Sequence, residues 1–107
     1  MITIQNEFLT ASFNTMGAEL KSLKCDGKEH IWYGDPQFWT GSSPVLFPIC
    51  SGLPDDKYIY NGETYEMPKH GFIRKLPFEV EATADDTATF MFASNEETLK
   101  MFPWRFE

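Results

Sequence analysis

The nine residues KYIYNGETY, Lys57 to Tyr65, decide the fold class of this 107-residue chain. Asn61-Gly62 stands between two arms in which aromatic and β-branched side chains alternate, Tyr58-Ile59-Tyr60 before the turn and Thr64-Tyr65 after it. Both central positions of the tightest hairpin turn need positive φ, which Asn and Gly tolerate best, so the stretch reads as a β-hairpin. The same punctuation recurs on either side. Ile2 to Gln5 and Phe8 to Phe13 read as strands, the second with Phe8, Thr10 and Ser12 opposing Leu9, Ala11 and Phe13. Met16-Gly17 marks a turn, Leu20 to Leu23 extends again, and Asp26-Gly27 turns once more. His30 to Tyr33 is expected to be a further short extended run, ended by Gly34-Asp35-Pro36. A second hairpin sets Phe78, Val80 and Ala82 on one side, turns at Asp85-Asp86 and returns through Thr87 to Ala93. Ser94 and Glu97 then have the spacing of a capping box, opening a single short helix that runs to about Met101 and stops before Pro103. The expectation is an all-β chain, seven or so strands in an antiparallel β-sandwich with one short helix.

Size and composition narrow the function. A chain of this length fits one domain, residues 1–107, and is expected to bury roughly two-thirds of its extended surface. Hydrophobic residues at 42% suffice for a packed core. A net charge of −7 argues against nucleic acid or an anionic membrane as partner. No apolar run approaches the roughly 20 residues that span a bilayer. Met1 to Leu9 lacks the pattern of a secretory signal, so a cytoplasmic location is expected. Two cysteines, Cys25 and Cys50, are too few for a disulfide framework, and Cys50 reads as a buried, inert thiol. His30, expected on the surface, lies forty positions from His70, and neither they nor the two lone cysteines have metal-ligand spacing, so no metal is expected. Gln37 to Ser51 is too apolar for a free linker and reads as a loop pressed onto the core. Trp104 and Phe106 look like one face of a strand just beginning, which suggests an amino-terminal piece of something longer and an aromatic edge for self-association.

The stretch from Pro68 to Pro77 carries the candidate chemistry. His70-Gly71 invites a ligand close to the backbone, and Pro68 stiffens the approach. If the segment is extended, His70 and Arg74 share a face, where an imidazole and a guanidinium suit one polar ligand. The bland alternatives are a turn histidine bonded to a nearby carbonyl, and a surface arginine paired with Glu63, Glu66 or Glu79. Of Trp32, Tyr33, Phe38, Trp39 and Phe47, one or two are expected to touch a ligand and the others to be core.

Several stretches then add up. Gly17-Ala18-Glu19-Leu20-Lys21-Ser22-Leu23, Trp39, Pro44-Val45-Leu46-Phe47-Pro48, the Asn61-Gly62 hairpin and Met67-Pro68-Lys69-His70-Gly71-Phe72-Ile73-Arg74 resemble, in order and spacing, the aldose 1-epimerase (galactose mutarotase-like) family, and most its LacX-type branch. The resemblance implies the amino-terminal part of a large β-supersandwich and a small-molecule sugar as ligand. It also implies anomer interconversion by acid and base with no cofactor. It makes His70 the first active-site histidine, near the sugar ring oxygen, and Arg74 a contact to peripheral oxygens. The family's principal acid, a second histidine, and its base, a glutamate, have no counterpart in this chain, so little or no catalysis is expected from residues 1–107 alone. Many members carry an arginine where this sequence has Ser51-Gly52-Leu53-Pro54. The rival readings are a non-catalytic carbohydrate-binding module and a structural β-domain used for association.

Overall fold

The computed structural model describes residues 1–107. Four strands form an antiparallel meander in chain order: β1 (Ile2–Gln5), β2 (Leu9–Asn14), β3 (Glu19–Cys25) and the two-residue β4 (Lys28–Glu29). The first reversal is made by a side chain, because Asn6 Oδ1 accepts from the N–H groups of Phe8 and Leu9 at 2.9 and 2.8 Å. Two hairpins follow, β5 (Lys57–Tyr60) with β6 (Glu63–Glu66) and β7 (Glu79–Thr83) with β8 (Ala88–Met91). In the first, Tyr60 pairs with Glu63 across Asn61 (φ 49°) and Gly62 (φ 77°), the geometry the sequence asks for. The hairpins are tied to the meander by main-chain bonds: Gly17 N to Leu76 O (2.8 Å), Phe78 N to Thr15 O (2.9 Å) and Gln5 N to Asp85 O (2.6 Å). Antiparallel sheets with one short helix agree with the expected class.

Three local expectations are corrected. The run His30 to Tyr33 is not a strand. His30 N still donates to Leu23 O at 2.8 Å, but Glu29 Oε1 accepts from Leu23 N at 2.8 Å and from Ile31 N at 3.3 Å, so a carboxylate takes over the return bond that a longer ladder would need. Helix α1 (Glu96–Met101) is capped one residue later than expected, by Asn95 and Thr98 in a reciprocal box. Ser94 cannot cap because it is engaged elsewhere: its N–H donates to Phe106 O at 2.8 Å and its Oγ accepts from Phe106 N at 3.2 Å. For the same reason the chain end is not a free aromatic strand. Phe106 folds back onto Phe47, ring centroids 4.9 Å apart, and Trp104 packs against Tyr60 at 4.8 Å.

The core is small. Met67, Phe72 and Ile73 are buried, ringed by half-buried Phe47, Tyr58, Phe78, Phe92, Phe102 and Phe106. The molecule is a slab of 54 × 33 × 16 Å with a radius of gyration of 16.4 Å, where a compact chain of this length would have about 13 Å. Its accessible surface of 7485 Å² exceeds the roughly 6,100 Å² of a compact protein of the same mass. The expected two-thirds burial is therefore not reached, since each sheet in so thin a slab is covered on one side at most.

One close approach fixes how the halves meet. The Phe47 carbonyl accepts from Phe72 N at 3.0 Å and Ile73 N at 3.3 Å, and a Cβ on Gly71 would overlap the Phe47 carbonyl oxygen. Gly71 also has φ +73°. Gly71→Ala should therefore cost about 3 kcal/mol or more in urea unfolding, and a loss below 1 kcal/mol would contradict this packing. A second expectation concerns acid. The Ser22 hydroxyl first, then the Leu23 N–H, lowers the Glu29 carboxyl from 4.5 to about 2. Its contribution is thus present above pH 4.5 and lost as pH falls towards 2. The stability gap between wild type and Glu29→Gln should narrow over that interval and stay flat above it.

Candidate functional site

His70 sits third in a turn closed by Gly71 N donating to Pro68 O at 2.9 Å. Its φ is +65°, a left-handed conformation that turns of this kind demand at that position and that glycine usually supplies. What holds a histidine there is Ser51, itself at φ +71°. His70 N donates to Ser51 O at 2.8 Å, and Ser51 N donates back to His70 Nδ1 at 2.8 Å. The imidazole is half-buried, with Nδ1 occupied and Nε2 free of protein partners. The turn-histidine alternative is met in part, except that the ring accepts from an N–H and does not donate to a carbonyl.

Two readings of this segment change. Gly71 leaves room for the chain's own Phe47 carbonyl, not for a ligand. His70 and Arg74 do not lie along an extended segment either, because Ile73–Lys75 forms a 3₁₀ turn that ends strand-like alternation. Arg74 is instead brought back by that turn, and its Nη2 donates to Lys69 O at 3.3 Å, next to His70 in the chain. Its Nε is buried without a partner. It makes no ion pair with Glu63, Glu66 or Glu79; the chain's two ion pairs are Lys21–Glu19 (3.6 Å) and Lys100–Glu97 (3.0 Å).

The surrounding loop owes its course to residues the sequence reading passed over. Glu19 Oε1 accepts from Ser42 N and Ser43 N at 2.6 and 3.1 Å, and Lys21 Nζ donates to Thr40 O at 3.1 Å. These bonds anchor the loop just before Pro44, so that Phe47 and Ser51 reach the His70 turn. Glu19 and Lys21 lie within the Gly17–Leu23 stretch that carries the family likeness, which was the available signal. Ser51 was marked only by the arginine missing from its loop, and its bond to His70 is made by its main chain, which the residue type does not announce.

Other candidates separate from the site. Trp32, Tyr33, Phe38 and Trp39 are exposed, and only Phe47 joins the core. They pack on one another, Trp32 to Tyr33 at 4.8 Å and to Phe38 at 6.3 Å, with Trp32 Nε1 donating to Trp39 O at 2.7 Å. Cys50 is exposed, contrary to expectation, since the chain reverses at Ser51 to meet His70 and turns its neighbour outward. His30 lies on the surface. No group of three or more His, Cys, Asp or Glu is gathered to hold a metal. None of the five principal clefts is lined by His70 or Arg74; the most voluminous, about 440 Å³, lies between Asp55, Asp56, Glu66, Met67, Pro68 and Met101. Residues 1–107 therefore present His70 on an open wall, not inside a closed pocket.

The left-handed turn gives a direct test. His70→Gly and His70→Ala both lose the bond from Ser51 N, but only Gly relieves the backbone. The Gly variant should be the more stable by about 1 kcal/mol, and equal stabilities would argue against strain at this residue.

The model of the aldose 1-epimerase family matches residues 1–107. The plasmid-encoded protein LacX of Lactococcus lactis is 39% identical over 112 residues, covering 99% of this chain and 38% of LacX. Among solved structures, a galactose mutarotase related enzyme from Lactobacillus acidophilus superposes with a TM-score of 0.94 at 39% identity, covering 97% of this chain and 35% of that one. A galactose mutarotase-like protein from Lactobacillus casei gives a TM-score of 0.94 at 41% identity, covering 98% of this chain and 36% of that one. The chain thus spans well under half the length of the relatives it matches.

Proposed function

Because the chain belongs to the aldose 1-epimerase family, we propose that it supplies one wall of the sugar site in a protein interconverting α and β anomers of a hexose or related sugar. The reaction needs a base to take the anomeric hydroxyl proton and an acid to protonate the ring oxygen; the ring opens, the carbonyl carbon rotates and the ring recloses. The observation that carries this reading is the anchored imidazole: a half-buried ring, held through Nδ1, that keeps Nε2 for a ligand. In this role His70 orients and polarises the ring oxygen. Arg74, with Nη2 on Lys69 O, offers its remaining guanidinium edge to peripheral sugar oxygens.

The open wall fits a division of labour in which residues 1–107 are the amino-terminal portion of a longer, cytoplasmic protein whose acid and base come from elsewhere. The ligand is a small sugar, bound without metal or cofactor. A non-catalytic sugar-binding role is the second reading, favoured by the loop Ser51-Gly52, which has no guanidinium to grip the sugar and whose Ser51 peptide is already engaged by His70.

Anomer exchange followed by NMR tests both. Residues 1–107 alone should give a rate near that of buffer. A chimera placing them over the matched part of the Lactobacillus acidophilus enzyme should accelerate exchange, and His70→Ala in that chimera should slow it by about 100-fold or more. A folded chimera that binds sugar without faster exchange would favour the binding reading. A chimera equally fast with alanine at position 70 would exclude His70 from the chemistry.

A further inference from the structure

We infer that the main-chain N–H of Ser51 fixes the tautomer of His70, making the imidazole a hydrogen-bond donor through Nε2–H, so that the ligand atom it meets is an acceptor such as a sugar ring oxygen. The ligand half of this inference rests on the sugar-site reading above; the tautomer half does not. A peptide N–H can only donate. At 2.8 Å from Ser51 N, His70 Nδ1 therefore presents its lone pair. A neutral imidazole carries one proton, and with Nδ1 accepting, that proton is on Nε2.

The arrangement resists the alternative. Rotating the ring to free Nδ1 would leave the Ser51 N–H unpaired, and the position of Ser51 is set independently by the bond from His70 N to Ser51 O at 2.8 Å. Both residues hold left-handed backbone angles, φ +71° and +65°, so the two main chains meet in one arrangement. The chemical consequence is a division of roles. A neutral ring with Nε2–H can polarise a ring oxygen from the outset, but it has no lone pair with which to take the anomeric proton. That proton falls to another group. Ser51 is thus a positioning residue that works through its peptide, indifferent to its side chain.

The test is spectroscopic and uses the chain itself. Long-range 1H–15N correlation of the imidazoles at about pH 8.5, above the ordinary histidine range, should show Nδ1 of His70 wholly unprotonated and Nε2 wholly protonated. Exposed His30, whose ring has no protein partner, supplies the internal reference for a freely exchanging imidazole. Ser51→Gly, which keeps the N–H and tolerates φ +71°, should leave the His70 pattern unchanged. A His70 ring protonated at Nδ1, or averaged like that of His30, would overturn the inference. In the chimera, His70→Gln, whose amide N–H₂ reaches the place of Nε2, should retain at least 10-fold more exchange activity than His70→Asn, whose amide reaches only the place of Nδ1. Equal loss in both would remove the donor role. If His70 shows one fixed tautomer while the chimera gives no exchange, the tautomer assignment stands and the mutarotase reading fails.

Discussion

The carbonyl of Phe47 is the constraint on which the rest of the structure depends. It accepts from two successive N–H groups, Phe72 and Ile73, and occupies space that any side chain at position 71 would fill. That contact welds the long loop after β4 to the segment after β6, two regions that share no sheet. The Phe47 ring extends the weld, meeting Phe72, Phe102 and Phe106 within about 6.3 Å. Without this seam the meander and the hairpins would be joined mainly by the few bonds around Gly17 and Asp85.

Next to the seam lie two residues in left-handed conformation, Ser51 and His70, each satisfying the other's main chain. Strained backbone of this kind costs of order 1 kcal/mol per residue and persists only where neighbours fix it. Here the neighbouring weld does so. A histidine stands where a glycine would fit the backbone better, so its side chain must supply the reason for its presence, and the reciprocal bond to Ser51 shows how that side chain is aimed. The same slab leaves apolar surface uncovered. Val45, Phe47, Ile73, Phe78, Phe92 and Phe106 line a groove of about 230 Å³ that nothing in residues 1–107 closes.

Turns and hairpins were legible because they depend on neighbours in sequence. Asn61-Gly62 needs only its own φ preferences, and the alternation of β1 and β2 needs only a period of two. In β7 a bulge between Val80 and Ala82 breaks it, so these two side chains do not share a face as expected. The helix was legible in place and length but not in its cap, because Ser94 is captured by Phe106, twelve residues away. Likewise the strand expected after β4 is cut short by Glu29 reaching back to Leu23. In each case a side chain made a bond that no local rule contains.

The sequence by itself determined the β-class, the hairpin positions, the family and the choice of His70 and Arg74 as residues of interest, since local turn chemistry and ordered motifs survive without coordinates. Only the tertiary structure decided that Gly71 serves Phe47, that Arg74 returns through a 3₁₀ turn to Lys69, and that Ser51 holds the imidazole by Nδ1. The physical reason is common to all three. Each depends on main-chain groups, which every residue carries alike, brought together from stretches about twenty residues apart or by a turn that breaks alternation.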